Sequence, residues 1–268
     1  MTVLRDKSKP SPSTSRAVWV IAIVVISAIM GMLVEWRAPG LKLQARDWLM
    51  RTRGPLAAPD DIAIVAIDEP SMARLGRFPW ARSQMARALD IIARGQPKVI
   101  VLDILYSEPT TAADDEALAA AIARAGNVVT AAQLIDSGDD SRRVNWLEPL
   151  PAIKGASAGV GHSNVSTDTD GVARELMLNE VDDRGVILRA LAVEAARVGD
   201  GVTRDRVRHV PTGMIIGDRL IRARPAASAA LGVRSTGARA TEVRADRMII
   251  DYLGSAGSSS SFFRSCRT

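Results

Sequence analysis

An α/β fold with a largely parallel sheet and flanking helices is predicted by three features of the sequence. Short, wholly apolar runs recur at Ile62–Ile67, Val99–Leu102 and Val128–Ala132. Amphipathic segments of helical period separate them, and the connections are only a few residues long. A strand buried on both faces reads as a continuous apolar run, and strands that alternate with helices pair in parallel. A hairpin-containing second half follows this alternation, and one transmembrane helix precedes it.

From Ala17 to Val34 the chain carries an uncharged stretch of about 18 residues, close to the shortest that crosses a bilayer as a helix. Arg5, Lys7, Lys9 and Arg16 precede it, and Glu35, Trp36 and Arg37 follow as an interface anchor rather than a cleavage site. Basic residues stand on both sides, and a long following domain is translocated largely regardless of charge. The expected arrangement is a cytoplasmic tail over 1–16, a transmembrane helix over 17–36 and the remainder outside. Residues 37–59 read as a juxtamembrane helix and linker, with Leu41, Ala45, Trp48 and Leu49 at helical spacing and Gly54-Pro55 as the stop.

The folded domain is expected over 60–254. Ile62–Ile67 reads as a buried parallel strand ending at Asp68, and Ser83–Arg94 as a helix with Met85, Leu89 and Ile92 on one face. Val99–Leu102 reads as a second buried strand, ending at Asp103. Thr111-x-x-Asp114 resembles a capping box, after which Leu118, Ile122 and Ala125 face inward and Gly126 closes the helix. Val128–Ala132 is the third strand. Beyond it, Gly159–Asp168 and Val172–Leu178 flank Asp170-Gly171 as the arms of a hairpin. Leu188, Leu191, Ala192, Ala195 and Val198 suggest a further amphipathic helix. Residues 203–250 hold short strand-like runs in no clear order, and 255–268 read as a disordered or aberrant tail.

Composition narrows the function. The net charge of +5 comes mainly from dispersed arginines, without a lysine-rich block or a basic-aromatic stripe, so no nucleic-acid partner is expected. The lone cysteine, Cys266, rules out a disulfide framework and a cysteine metal site. His162 and His209 are the two histidines, with no metal-ligand spacing between them. No GxSxG elbow, P-loop or GxGxxG follows a strand, so no enzyme and no cofactor are expected.

Several polar groups remain to be placed. Asp68-Glu69 and Asp103 fall at the ends of two successive expected strands, with Glu108 just beyond. Ligands of open α/β sheets bind at such ends. These carboxylates either line an acidic pocket or cap loops and pair with Arg82 or Arg87. The loop Gly76–Arg82 sets Phe78 and Trp80 beside Arg77 and Arg82, as a pocket cover with Arg82 clamping an anion or as a packed lid. Asp168-Thr-Asp170-Gly171 is similar to part of a calcium loop. With Ser166 in the first position the closing glutamate would have to be residue 177, which is Met177, so a tight turn is preferred.

The stretches IVAIDEPSMARLGRFPWARS, KVIVLDILYSEP, DDEALAAAIARAGNVV and GVGHSNVSTDTDGVARE, closed by RADRMIIDYLGSAG, resemble the CHASE type-two (CHASE2) sensory extracellular domain over about residues 40–254. The resemblance implies an extracytoplasmic sensor behind one N-terminal inner-membrane helix, single-pass in this chain, in a family where further membrane helices and then a cytoplasmic cyclase or kinase output usually follow. Residues matching its recurrent positions are Asp68, Trp80, Arg82, Asp103, His162, Asn164, Asp168, Asp170, Gly171 and Arg174. Either they bind a ligand or they hold the fold. The chain departs from the pattern after Gly254, where SAGSSSSFFRSCRT suggests a C-terminal truncation or frameshift. The partners implied are the membrane, an unidentified small-molecule or envelope ligand and, as an allowed assembly, a homodimer.

Two other readings stand beside this one. IAIVAIDEPSMARL and PKVIVLDIL also resemble a response-regulator receiver. There Asp103 would accept phosphate, Asp68-Glu69 would hold magnesium and Thr130 would supply a hydroxyl. The lack of room for a strand between Arg94 and Val99, and of a Lys-Pro at the later strand end, weighs against it. The third reading is an envelope scaffold that senses nothing.

Overall fold

The computed structural model describes residues 12–37, 40–56, 59, 61–136, 144–168, 170–225 and 246–249. The chain divides into a unit that includes residues up to Ala66 and a larger one, Ile67–Asp251.

In the first unit, helix α1 runs Pro12–Arg37 and helix α2 runs Gly40–Arg53. Gly54, at φ 78°, ends α2 where the sequence places its stop. The apolar side chains of α1 are exposed on every side, among them Val18, Trp19, Ile21 and Ile23 at 61–68%. Among the described residues no helix is long and apolar enough to cross a membrane. The transmembrane helix expected over 17–36 is therefore not shown by the structure.

Ile62–Ile67 is not the buried strand expected. Ile64 alone forms a β-bridge, and Ile62, Ile64 and Val65 are 42–52% exposed. A buried parallel strand needs pairing along its length and cover on both faces, and this run has a single bridge, with only Ala66 and Ile67 half-buried.

The second unit begins with α3 (Glu69–Leu75), α4 (Arg82–Ala93), β1 (Ile100–Leu102), α5 (Ala112–Ala125) and β2 (Val128–Asp136). It continues with β3 (Val144–Leu147), α6 (Pro151–Ala156), β4 (Gly159–His162), β5 (Glu175–Met177), β6 (Asn179–Val181) and β7 (Ile187–Arg189). The last elements are α7 (Leu191–Gly199), β8 (Val207–Val210), β9 (Gly213–Ile216), β10 (Arg219–Arg222), β11 (Arg224–Pro225) and β12 (Asp246–Ile249).

The parallel sheet is real. β1 pairs with β2 from Ile100↔Val128, and β2 pairs with β4 from Val129↔Gly159, while β3 runs antiparallel to the second half of β2. Side chains alternate across it as a period of two requires. Ile100 and Val128 face α4, α5 and α6, where they pack with Leu89, Leu118, Ile122 and Ile153. Val129 and Ala131 face the other way, onto Leu191 of α7. Leu89, Leu118 and Ile122 are the inward positions that the helical period picks out, and Gly126 caps α5 at φ 72°. Val101 is 41% exposed although its run is wholly apolar, because β1 is an edge of the described sheet.

Two further expectations change. Leu188 belongs to β7, in a hairpin with β6, and not to the following helix. Asp182, fully buried, accepts from the backbone of Arg184 and Val186 and fixes that turn, so the helix starts only after Ala190. The Asp170-Gly171 turn forms, with Gly171 N–H donating to Asp168 O, but its arms are a single Ser166↔Glu175 bridge. Gly159–His162 is instead the parallel strand β4, and β5 pairs with β12. The unordered stretch after 203 resolves into the meander β8–β9–β10. Leu178, Val193, Val207, Met214 and Ile216 form a second core there. The expected tail at 255–268 lies outside the described residues.

Glycine in β4 lets α7 lie directly on the sheet. A Cβ at Gly161 would stand 2.6 Å from Leu191 Cα and 2.9 Å from its backbone nitrogen. Backbone atoms cannot rotate away, so Gly161→Ala should force α7 off the sheet at a cost of about 1–3 kcal/mol. The midpoint of urea unfolding measures it, and an unchanged midpoint would place α7 elsewhere.

Candidate functional site

The first polar cluster forms where the chain leaves β1. Tyr106 is buried in the α4–α5 core, and burial pushes its hydroxyl up to about 12 against the pull of nearby Arg82. The Arg82 guanidinium lies 5.4 Å over the Tyr106 ring. Its Nη1 donates to the Asp115 carboxylate and its Nη2 to the Glu108 carbonyl oxygen. Asp115 in turn accepts from the Thr110 hydroxyl at 2.6 Å, and hydrogen bonds from Thr110 are the leading cause holding its carboxyl below the usual range. Arg82 is 7% exposed, and the donors described are spent inside the fold. It ties α4 to α5 and to the β1–α5 connection, an arrangement that fits a packed, fold-holding role for this residue rather than an anion clamp.

The neighbouring residues follow the same pattern. Asp68 does not end a strand. It is the N-cap of α3, accepting from Ser71 N–H at 2.9 Å, and the Ser71 hydroxyl is the largest cause of its lowered pKa. Trp80 Nε1 donates to Gly76 O at 2.7 Å, and its ring meets Phe78 edge-on at 6.0 Å, so the loop closes on itself. The capping box is half of one. Thr111 accepts from Asp114 N–H, whereas the Asp114 carboxylate turns to Ser83 N–H at 3.1 Å and the Thr111 hydroxyl. Three carboxylates are left over. Those of Glu69, Asp103 and Glu108 are exposed and have no hydrogen bond or ion pair among the described residues.

A second cluster joins Asp168, Asp170 and Arg174. Arg174 is 3% exposed and donates to Asp168 Oδ2 at 2.8 Å and to both Asp170 oxygens at 2.7–2.8 Å. The pair of aspartates that looked like a calcium loop is thus a lock on the turn. The Arg174 bond, first among its causes, pushes Asp170 down to about 2. A depressed carboxyl stabilises the fold above its ordinary 3.8 and loses that contribution as pH falls toward about 2. Asp170→Asn should therefore make the fall of the melting temperature in that window shallower. An unaltered slope would show that the lock does not titrate.

Asn164 binds Leu134 twice, its Oδ1 accepting from N–H at 2.9 Å and its Nδ2 donating to the carbonyl at 3.2 Å, which extends the β2 ladder by a side chain. His162, at the end of β4, is 1% exposed and stacks on Trp146 with centroids 6.0 Å apart. Neither ring nitrogen has a hydrogen-bond partner of proper geometry among the described residues. Burial pushes the imidazole down to about 4, with the Met177 backbone pulling the other way.

Sequence reasoning missed a buried ion pair. On α7, Glu194 and Arg197 are 2% and 6% exposed. Arg197 Nε donates to Glu194 Oε2 at 2.8 Å, Nη1 to Val202 O and Nη2 to Ala158 O, both at 2.9 Å. Arg189 completes the group through Glu194 Oε1 at 2.9 Å. Gly159 makes room for it, since a Cβ there would meet Glu194 Oε2 at 2.9 Å. The available signal was a helix with a Glu–Arg pair three apart that faces a strand written Gly-Val-Gly.

These positions do not assemble a catalytic or metal centre of the receiver type. Thr130 is fully buried and shares a hydrogen bond with Ser157 Oγ at 3.1 Å. No group of three His, Cys, Asp or Glu side chains converges among the described residues, so Asp68, Glu69 and Asp103 do not meet at one ion. The strand order β1-β2-β4 runs in chain order, so the described sheet has no reversal to open a crevice. A concavity lined by Leu41, Gln44, Ala45, Asp47, Trp48 and Arg51 belongs to α2 alone.

The model of one family, described as the CHASE2 domain, matches residues 19–264. The match extends the likeness seen over about 40–254 toward both termini, into α1 and into the segment after 254. No curated protein matches. No solved structure matches.

Proposed function

Because the chain belongs to the CHASE2 domain family, we propose that it senses a signal outside a plasma membrane to which α1 anchors it. The family is one of extracellular-type sensory domains rather than catalysts. The observation that carries the anchoring is the character of α1. A helix that is apolar all round must be buried in lipid or protein, and its described side chains are exposed throughout 16–32 apart from a half-buried Ala22.

Sensing then requires a ligand that binds one arrangement of the domain better than another and so shifts its position relative to the anchor. Arg82, Asp168, Asp170, Arg174 and Asn164 hold the fold. The side chains left for recognition are the exposed carboxylates of Glu69, Asp103 and Glu108, which suit a cationic or hydrogen-bond-donating ligand.

A thermal-shift screen of the full chain in detergent micelles tests this, against metabolites, peptidoglycan fragments, anions and divalent cations. The expected result is stabilisation by one class, lost in Asp103→Asn while the variant remains folded. Stabilisation by none of them in a well-folded protein would favour the scaffold reading.

A further inference from the structure

We infer that α2 lies along the membrane surface with its apolar face at the headgroup level of an anionic bilayer, an inference that rests on α1 being the anchor. At 3.6 residues per turn, Leu41, Ala45, Trp48, Leu49 and Thr52 share one face of α2. Leu41, Trp48 and Leu49 are 49%, 63% and 60% exposed, whereas Leu43 and Met50, on the opposite side, are half-buried. The helix is thus covered on one side and leaves its apolar stripe open.

Two observations choose the occupant. Only residues 38–39 separate α1 from α2, and three peptide steps span at most about 11 Å. The anchor therefore delivers the start of α2 to the bilayer surface. Arg51 and Arg53 are exposed and flank the stripe on its two sides, while the helix's one acidic residue, Asp47, is half-buried and stands one turn before Arg51, farther round the helix from the stripe. A tryptophan within an apolar stripe bordered by arginines is the pattern of a helix in the interface plane, where the cations meet anionic headgroups. A second copy of α2 packed in parallel would instead set like charges against each other along both borders.

Depth measurement by spin labelling tests the inference on the full chain with Cys266→Ser. Single nitroxides are placed through Ala45→Cys, Arg51→Cys and Ile26→Cys, in vesicles of phosphatidylcholine with phosphatidylglycerol. The ratio of oxygen to water-soluble nickel-chelate accessibility at position 45 is expected to exceed that at position 51 severalfold. An aqueous label at 45 beside a lipid-exposed label at 26 overturns the inference and leaves the anchor standing. Spin–spin broadening at 45 that dilution with unlabelled chain removes would overturn it in favour of a second copy. An aqueous label at 26 removes the anchor, and the inference with it.

Discussion

Replacing Arg197 by methionine should cost the α/β unit about 3–5 kcal/mol, the usual penalty for stranding one partner of a buried ion pair. Arg197 is 6% exposed and Glu194 2%. Without the guanidinium, Glu194 keeps only the Arg189 contact at 2.9 Å among the described residues, and the carbonyls of Ala158 and Val202 lose the donors they accept from. Those carbonyls belong to the lead into β4 and the turn after α7, so the loss falls on the joint between sheet and helix. Urea unfolding of Arg197→Met measures it. The double variant Glu194→Leu/Arg197→Leu removes both charges and should lose less than Arg197→Met alone. A double variant worse than the single would mean that the pair contributes through packing rather than mutual compensation.

Acidification should weaken the fold through His162 by about 3 kcal/mol, the equivalent of a shift from an ordinary imidazole to one titrating near 4. The imidazole is held neutral at about 4 against 6.5 when free. The unfolded chain therefore binds the extra proton first. Stability is complete above 6.5, falls as pH drops toward about 4, and loses nothing more to this group below that. His162→Phe keeps a ring against Trp146, 6.0 Å away in the native stack, and removes the titration. Its stability should be flat across the window where the native protein loses stability. The same slope in both proteins would assign the effect to another group.

What the sequence made legible is what local periodicity encodes. Met85, Leu89 and Ile92, and Leu118 with Ile122, stand at helical spacing and pack in one core. Gly126 ends α5 in the left-handed region because a residue without Cβ adopts φ 72° at no steric cost. Strand neighbours were less accessible. An apolar run such as Ile62–Ile67 signals a need for cover and does not say what provides it. Leu188 fits the helical period of the residues after it, but the buried Asp182 turn assigns it to a hairpin.

The polar residues show the same limit more sharply. Arg82 stands out in the sequence, yet its role depends on Asp115, 33 positions away. Glu194 and Arg197 look like an ordinary surface pair at i,i+3. Only the approach of β4 through Gly159 buries them. Asp168, Asp170 and Arg174 are close in sequence, and there the choice of a tight turn over a calcium loop rested on one residue, Met177.

The side of the membrane on which the α/β unit stands decides whether it can sense from outside. The chain would be expressed in a bacterial host and external protease added to intact spheroplasts, with antibodies against the N-terminal tail and against the α/β unit. Extracytoplasmic sensing requires that the α/β unit be digested from outside while the tail before α1 is protected until lysis. An α/β unit that survives in intact spheroplasts and is cut only on lysis would put it in the cytoplasm and contradict extracytoplasmic sensing.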